Sequence, residues 1–564
     1  MRTKRTGKAG NVGRALCGLS ALCMGAIWLA GCFTAGEYAQ QADEETYDIL
    51  REKWDARFGE RGNYRLDANA AADPLPPLTG RIGLARAVAG ATRNNRSYQR
   101  QKELLYTQAL DLTLERHRFA RRWLATLNSD YTRDADDETV GAGATVGLNQ
   151  ALADGAQVGI GVAMAWLECL TGDPRSSLTT VLSASVTQPL LRGFGRKVAQ
   201  EDLTQAERDT LYQIRSFNRF RKTFVVSIVT DYYGVLQALD RVENDQLNYE
   251  NLLANQRRVE MMADTGRVPQ FQAGEVRQSV LQALDRFNRS RESHKAALDR
   301  FKIRLALPAD ADVELDPNEL RALEAGGITD PNVPVVAAVA TGLKLRLDLA
   351  NTRDAVEDSE RKVEVAADAL RAELNLTARA AVPSTDPRDF TRMKFNKGTY
   401  GVGLDVDLPL DRKLERNVYR EALIALTDSR RSYDEQIDQV RLDVRQAHRD
   451  LLEAHTSYRI QQTSLALAEK RVDMQLILLQ EGRATTRNYL DAQADLLLAQ
   501  NAKTAALVEF TLASLRFYRD TGLLHVRPDG LWETPDAKAL RRGAAAAKPP
   551  GPTSRPAENA PRKD

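Results

Sequence analysis

Ser185-Val186-Thr187-Gln188-Pro189-Leu190-Leu191-Arg192-Gly193-Phe194-Gly195 joins a run of strand-like residues to a long helix pattern. A shorter counterpart in the second half, Leu404-Asp405-Val406-Asp407-Leu408-Pro409-Leu410-Asp411, makes the same transition. Proline lacks the N–H that a central ladder needs and biases its predecessor toward extended geometry. Pro189 and Pro409 therefore fit where strand yields to helix, and Gly193 and Gly195 permit the change of direction. Pro189 precedes Gly266-Arg267 by 77 positions, and Pro409 precedes Gly482-Arg483 by 73. A duplicated unit of strand, proline break, very long helix, tight turn and return helix describes a tube or scaffold, not an enzyme pocket.

The pattern predicts a helix from about Lys197 to Ala263. Ile228, Tyr232, Val235, Leu239, Val242, Gln246, Tyr249 and Leu253 step by four and three, as in a coiled-coil seam with one polar interruption. A return helix runs from about Gln272 to Leu305. In the second half, Val440, Val444, Ala447, Leu451, Ala454 and Tyr458 mark the same seam on a helix from about Arg416 to Gln480, followed by a last helix from about Tyr489 to Tyr518. Upstream, helix pattern covers about Leu78 to Leu127, with a break near Asn94-Asn95. Another helix lies between about Leu343 and Ala369.

Between about 140 and 190 the period changes to two. Val158, Ile160, Val162 and Met164 alternate with smaller residues, and a second alternating run from Leu178 to Thr187 follows a Gly-Asp-Pro loop. Weak alternation over two strands of about ten residues suits a transmembrane β-hairpin. A second hairpin is expected at about 372–408. Gly141 to Leu152 is also strand-like, and the sequence leaves open whether it joins the same ladder. Four membrane strands per chain cannot close a barrel, and an open edge in lipid leaves N–H and C=O groups unpaired. Three copies would supply twelve strands, an even number that closes, and are the economical answer, although the same arithmetic also allows four copies.

The ends carry their own signals. Arg2, Lys4, Arg5, Lys8 and Arg14 precede an apolar run from about Ala15 to Ala30, as in an export signal. Leu29-Ala30-Gly31-Cys32 resembles the lipobox of bacterial lipoprotein precursors, which implies diacylglycerol and an N-acyl chain (palmitate) on Cys32. Phe33 follows the cysteine where aspartate would signal inner-membrane retention, which points to the outer membrane. Loss of the leader removes five positive charges and moves the formal charge from +2 to −3, leaving no basic face for nucleic acid. Cys17 and Cys23 go with it and Cys32 carries lipid, so Cys169 alone remains and no intrachain disulfide forms. The organisation expected is signal peptide 1–31, polar tether 32–77, first repeat 78–307 turning at 266–269, equatorial segment 308–342, second repeat 343–525 turning at 482–486, and extension 526–564, disordered from about 535.

Gln188-Pro189-Leu190-Leu191-Arg192-Gly193 closely resembles the strand-to-helix signature of TolC-like outer-membrane efflux proteins, in particular their lipoprotein (NodT/OprM-like) branch. Leu408-Pro409-Leu410 resembles its shorter second copy. Arg346-Leu347-Asp348-Leu349 resembles the family's Arg-Pro-Asp-Leu element with Leu347 in place of proline, and Gly522-Leu523 resembles the glycine closing the last helix. Many members also carry a proline near the first passage from helix to strand, where this chain has Phe119-Ala120-Arg121-Arg122-Trp123. The resemblance implies a homotrimeric mixed α/β membrane protein, a twelve-stranded outer-membrane β-barrel continued by a periplasmic α-helical coiled-coil barrel. It implies a passive, gated exit duct in a tripartite efflux or type I secretion-like system. Such a duct is served by a periplasmic adaptor (membrane fusion) protein and an inner-membrane RND, ABC or MFS pump.

The same resemblance assigns Gly266, Arg267, Gly482 and Arg483 to adaptor-contacting tips. It places Asp491 at a pore constriction, where Asn488 replaces a second aspartate. Three copies of Asp491 would face one another and attract cations, whereas an ordinary first-turn aspartate is also favoured by the helix dipole. No phosphate-binding loop, nucleophile elbow, dinucleotide fingerprint or metal spacing is present, so no enzyme activity, metal or cofactor is expected. His448 and His455, seven apart, suit one helix face. The competing expectation is a lipid-anchored periplasmic coiled-coil adaptor or envelope spacer without a pore, whose hairpins would be water-soluble.

Overall fold

The computed structural model describes residues 34–55, 61, 64–66, 79–134, 138–169, 176–328, 333–386, 389–527 and 530–533. Cys32, the export signal and the tail beyond 533 lie outside them. The first element is a helix, α1 (Ala35–Lys53). It begins in a capping box, with Thr34 Oγ1 accepting from Glu37 N at 3.3 Å and Glu37 Oε2 accepting from Thr34 N at 2.6 Å. Tyr47, Ile49 and Leu50 are buried. The polar tether expected over 32–77 is thus corrected in its first part: α1 is amphipathic and packs on the fold.

Strand β1 (Gly80–Ile82) and helix α2 (Leu84–Asn94) lead into α3 (Arg96–Phe119). Asn95 caps α3, its Oδ1 accepting from Ser97 N and Tyr98 N at 2.9 and 3.1 Å. The helix ends at Phe119 and not near Leu127, because β2 (Arg122–Arg133) starts a run of four strands. After it come β3 (Glu138–Ala151), β4 (Gln157–Cys169) and β5 (Ser176–Pro189). A short helix α4 (Arg196–Ala199) then opens the first long hairpin, α5 (Glu201–Asp264) and α6 (Gln270–Arg304).

The join between repeats holds β6 (Val313–Leu315), parallel to β1, and α7 (Asn318–Gly326). The second repeat follows as α8 (Val335–Leu345), α9 (Leu347–Asp368), β7 (Glu373–Asp386), a short β8 (Asp389–Met393) and β9 (Thr399–Asp407). The second hairpin is α10 (Lys413–Gln480) and α11 (Thr486–Asp520), closed by the small pair β10 (His525–Val526) and β11 (Trp532–Glu533). At 1.5 Å per residue α5 and α10 are about 100 Å long.

One antiparallel sheet runs β2-β3-β4-β5-β7-β9, with β8 paired to the far end of β7. Where four strands were expected, the sheet holds six long ones among the described residues, because the first repeat carries two hairpins. Gly141–Leu152, left open by the sequence, belongs to the ladder: β3 pairs with β2 along one side and β4 along the other.

The main core sits at mid-height. Ile214, Phe217, Phe224, Ile228 and Tyr232 of α5 meet Tyr98 and Leu105 of α3, Phe301 of α6, Leu515 of α11 and Ile82 of β1. All six seam positions read on α10 are buried. On α5 the upper seam (Ile228, Tyr232, Val235) is buried, but the lower one is shifted by one residue. The buried positions there are Asp245, Asn248, Leu252, Asn255 and Val259, while Tyr249 and Leu253 are half-buried and Gln246 is exposed.

The break between α8 and α9 is held by charge. Arg346 is buried, and its guanidinium donates to Asp348 (Nη2–Oδ2 2.7 Å, Nε–Oδ1 3.1 Å) and to Asp443 of α10 (2.7 Å). Arg219 of α5 approaches Asp348 at 3.3 Å. Burial alone would raise the Asp348 carboxyl, but the Arg346 hydrogen bond and the Arg219 charge outweigh it and hold it below its ordinary value. A depressed carboxyl contributes stability above its unfolded pKa, lost as pH falls through the lower folded value. Arg346→Ala leaves two carboxylates beside an emptied site. It is expected to cost about 3–5 kcal/mol and to lower the thermal-unfolding midpoint at pH 7, with a smaller drop at pH 3. Equal drops at both pH values would remove the charge argument.

Candidate functional site

Every long strand of the sheet obeys one alternation. Register places Trp123, Leu127 and Tyr131 of β2 on the same face as Val146 and Leu148 of β3, and Ile160 and Val162 of β4. The face continues through Leu182 and Val186 of β5, Leu376 and Ala380 of β7, and Tyr400, Val402, Leu404 and Val406 of β9. Of the exposed large apolar side chains on these strands, all but Leu167 lie on it, with Trp123 76% and Val402 80% exposed. An apolar face this broad is not stable against water and marks a surface for lipid or protein.

The opposite face is polar and shallow. Asn128 and Asp130 lie across Gly143 and Gly141; a Cβ at Gly141 would sit 2.7 Å from Asp130 Oδ1. Thr377, Arg379, Gly403 and Asp405 continue this face. A sheet that is apolar on one side and polar on the other is the arrangement of a barrel wall facing hydrocarbon outside and water inside.

All four passages between sheet and helices lie at one end of the sheet. At the first, Ala120 is extended and β2 begins two residues later, so no proline is required. At the second, Pro189 ends β5 opposite Asn375, and Gln188 Nε2 donates to Pro189 O at 3.0 Å. Leu190 N donates to Leu374 O at 2.7 Å and Arg192 N to Ala372 O at 3.3 Å. Gly193 and Gly195 then take φ of +78° and +99°, which only glycine adopts without strain. Gly193 N donates to Asp368 Oδ2 at 2.7 Å, so a buried carboxylate from the end of α9 pins this turn. Sequence reading missed Asp368, since nothing local distinguishes it from other helix-end acids. At the last passage Pro409 follows β9 by two residues, and Arg412 Nε donates to its carbonyl at 3.1 Å.

The far ends of the two long hairpins have matching turns. Gly266 (φ +73°) and Gly482 (φ +71°) each close a Schellman motif. Gly266 N donates to Ala263 O and Arg267 N to Met262 O; Gly482 N donates to Leu479 O and Arg483 N to Leu478 O. Thr486 Oγ1 donates to Gln272 Oε1 at 2.9 Å, so the two tips stand side by side. Arg267 and Arg483 are exposed, the latter 3.6 Å from Glu481. Met261, Phe271, Met474 and Ile477, all within ten residues of these turns in sequence, are exposed apolar side chains. Helical periodicity did not single these out because each falls outside its seam.

Asp491 and Asn488 share the exposed face of α11, just inside the tip. Asp495, one turn further on, is paired with Arg471. Asp491 has no ion pair or hydrogen-bonding side chain among the described residues. The passages and the tips are thus separated by the length of the helices. Among the described residues no three His, Cys, Asp or Glu side chains gather to hold a metal. His448 Nε2 lies 2.9 Å from Val333 O and His455 packs on Phe510, so both face inward on α10. Among the described residues no helix is long and apolar enough to cross a membrane.

No family model and no curated protein matches the chain. Solved structures do. The open-state outer membrane channel MtrE of Neisseria gonorrhoeae superposes with a TM-score of 0.57 at 13% identity, over 78% of this chain and 89% of that one. The Campylobacter jejuni CmeC outer membrane channel gives 0.55 at 13%, over 82% and 89%. The outer membrane protein VceC of Vibrio cholerae gives 0.55 at 12%, over 78% and 96%. The chain has the outer-membrane channel fold. The TolC-like resemblance read from Gln188–Gly193 is therefore shown at the level of fold.

The paired Schellman turns of this channel fold are open to test. Alanine at φ near +70° costs about 1–2 kcal/mol, whereas asparagine tolerates it better. Gly482→Ala is expected to speed amide hydrogen exchange across 476–490, and Gly482→Asn to speed it less. Identical exchange in both variants would show that the turn does not depend on the left-handed glycine.

Proposed function

We propose that this chain is a TolC-like outer-membrane efflux channel that works as a homotrimer. Its exit duct is passive and serves substrates delivered by an inner-membrane RND, ABC or MFS pump through a periplasmic adaptor. The observation that carries the reading is the single apolar face over all six strands, ending in two open edges and seated on helices about 100 Å long. In lipid each unpaired edge group costs several kcal/mol, so further copies must complete the wall. Cys32 is proposed to carry the lipid anchor, and the tips at Arg267 and Arg483 to meet the adaptor, each arginine offering a five-donor fork. The exposed Met261, Phe271, Met474 and Ile477 would supply apolar contact there. The duct performs no chemistry of its own.

The coiled-coil spacer reading is disfavoured by the same face, which a water-soluble hairpin would not expose. Purified full-length protein is expected to run at three times the monomer mass and to give steady channels in planar bilayers. A monomeric mass without conductance would restore the spacer.

Asp491 is proposed to form a ring of three carboxylates near the periplasmic mouth. Asp491→Asn is then expected to weaken block of the channel by a trivalent cation such as hexaamminecobalt several-fold. Unchanged block would return Asp491 to an ordinary surface role.

A further inference from the structure

The first repeat carries one hairpin more than the second, and its position in the fold is not that of a decoration. Strands β2 and β3 continue the apolar face without a break, with Trp123 and Tyr131 near its two margins. The hairpin also forms the edge of the sheet. Running along the sheet, strands alternate away from and toward the helices, so β2 leaves the helical end and β9 returns to it. These two edges are antiparallel and carry their apolar residues on the same side. They are complementary to each other in a second copy.

The helices below repeat the arrangement. Directly beneath the sheet, α3, α5, α9 and α10 form one row. Thr210 of α5 reaches the α3 carbonyl of Gln108 (3.5 Å), Arg215 of α5 pairs with Asp354 of α9 (2.6 Å), and Ser359 of α9 meets Ser429 of α10 (2.7 Å). The row ends in α3, which leads into β2, and in α10, which follows β9. Apolar side chains stand exposed along both ends: Leu104 and Leu114 on α3, Leu414, Val418 and Ile424 on α10.

The widths of the two layers decide the role of the extra hairpin. A strand spacing of about 4.8 Å and a tilt of about 40° give six strands about 37 Å of wall. Four helices packed about 9 Å apart take about 36 Å. Four strands would span only about 25 Å and would force the wall to narrow above the helices.

We propose that β2 and β3 are full staves of the membrane barrel. Each chain gives six strands, β9 of one copy pairs with β2 of the next, and a trimer closes at eighteen strands over a helical tunnel of matching girth. A barrel of that size leaves a water-filled lumen, which the inward glycines Gly141, Gly143 and Gly403 widen. This rests on the channel reading above.

Disulfide scanning in outer membranes separates the two. In full-length protein with Cys169→Ser, Val402→Cys on β9 is combined with single cysteines at Ala125, Leu127 and Ser129 on β2, or at Ile160, Val162 and Met164 on β4. Bridges need Cα atoms about 4.4–6.8 Å apart, so only facing strands react. The expected result is intermolecular dimer and trimer bands with at least one β2 position and none with β4. A cryo-EM map of the trimer is expected to show eighteen strands. Bridges to β4, or to neither strand in a trimer that still conducts, would overturn the wide barrel and leave the channel reading standing. A monomer without conductance would overturn both.

Discussion

An open sheet edge with an apolar face has no stable home as a single chain. In water the face is exposed; in hydrocarbon the edge N–H and C=O groups have no partner. Both demands would be met if the β9 edge of one copy joined the β2 edge of the next, as proposed above. The alternation on six strands sets inside from outside. Four passages, at β2, β5, β7 and β9, join strand to helix at one common level, and β3 and β4 are linked to each other by a turn at the same end.

The same constraint explains why the packing is uneven along the molecule. Large side chains concentrate at mid-height, where α1, α2, β1, β6 and the tail pair β10–β11 add girth around Phe217, Tyr232 and Phe301. Toward the tips each hairpin has little to bury. Leu252, Val259, Val276, Val280 and Ala283 form one small cluster, and Val472, Leu479, Tyr489 and Ala492 another. Asp245, Asn248 and Asn255 occupy the buried side of α5 in this lower region. Few buried apolar contacts mean low local stability toward the tips, which fits the gated mouth proposed above better than a static scaffold.

The sequence was legible where one period dominated. The α10 seam from Val440 to Tyr458 is apolar at every step and is buried at every step. On the lower part of α5 the buried stripe contains Asp245, Asn248 and Asn255, so an apolar count follows Tyr249 and Leu253 instead and lands one position away. Residues 119–131 were ambiguous for a different reason. Phe119, Trp123, Leu127 and Tyr131 are spaced by four, which satisfies a helix face as well as every second pair on a strand. Only the partner β3, through Leu148 opposite Trp123 and Val140 opposite Tyr131, decides between them. The glycines at 141 and 143 held that signal, since they leave space for Asp130 and Asn128 of β2. The tips and proline passages were readable because Gly266, Gly482, Pro189 and Pro409 are required by backbone geometry, whereas Asp368 acts through a contact 175 residues distant.

The two repeats share a plan but not a rigidity. The passage after β5 is fixed by Pro189, by Gly193 bonded to Asp368, and by the turn between β3 and β4, where Asp154 O accepts from Gly195 N at 3.1 Å. A Cβ at Gly155 would lie 2.6 Å from Gly193 O, so the added hairpin buttresses this passage closely. The passage after β9 has only Pro409, the Arg412 bond to its carbonyl and the Asp411 cap on Lys413. Leu408 and Leu410 there are exposed, and α10 buries no side chain before Val440. Within one chain, therefore, the first repeat is tied more closely to the sheet than the upper part of the second. Under the channel function proposed above, the weaker attachment makes α10, together with its hairpin partner α11 bearing Asp491, the element expected to shift against α5.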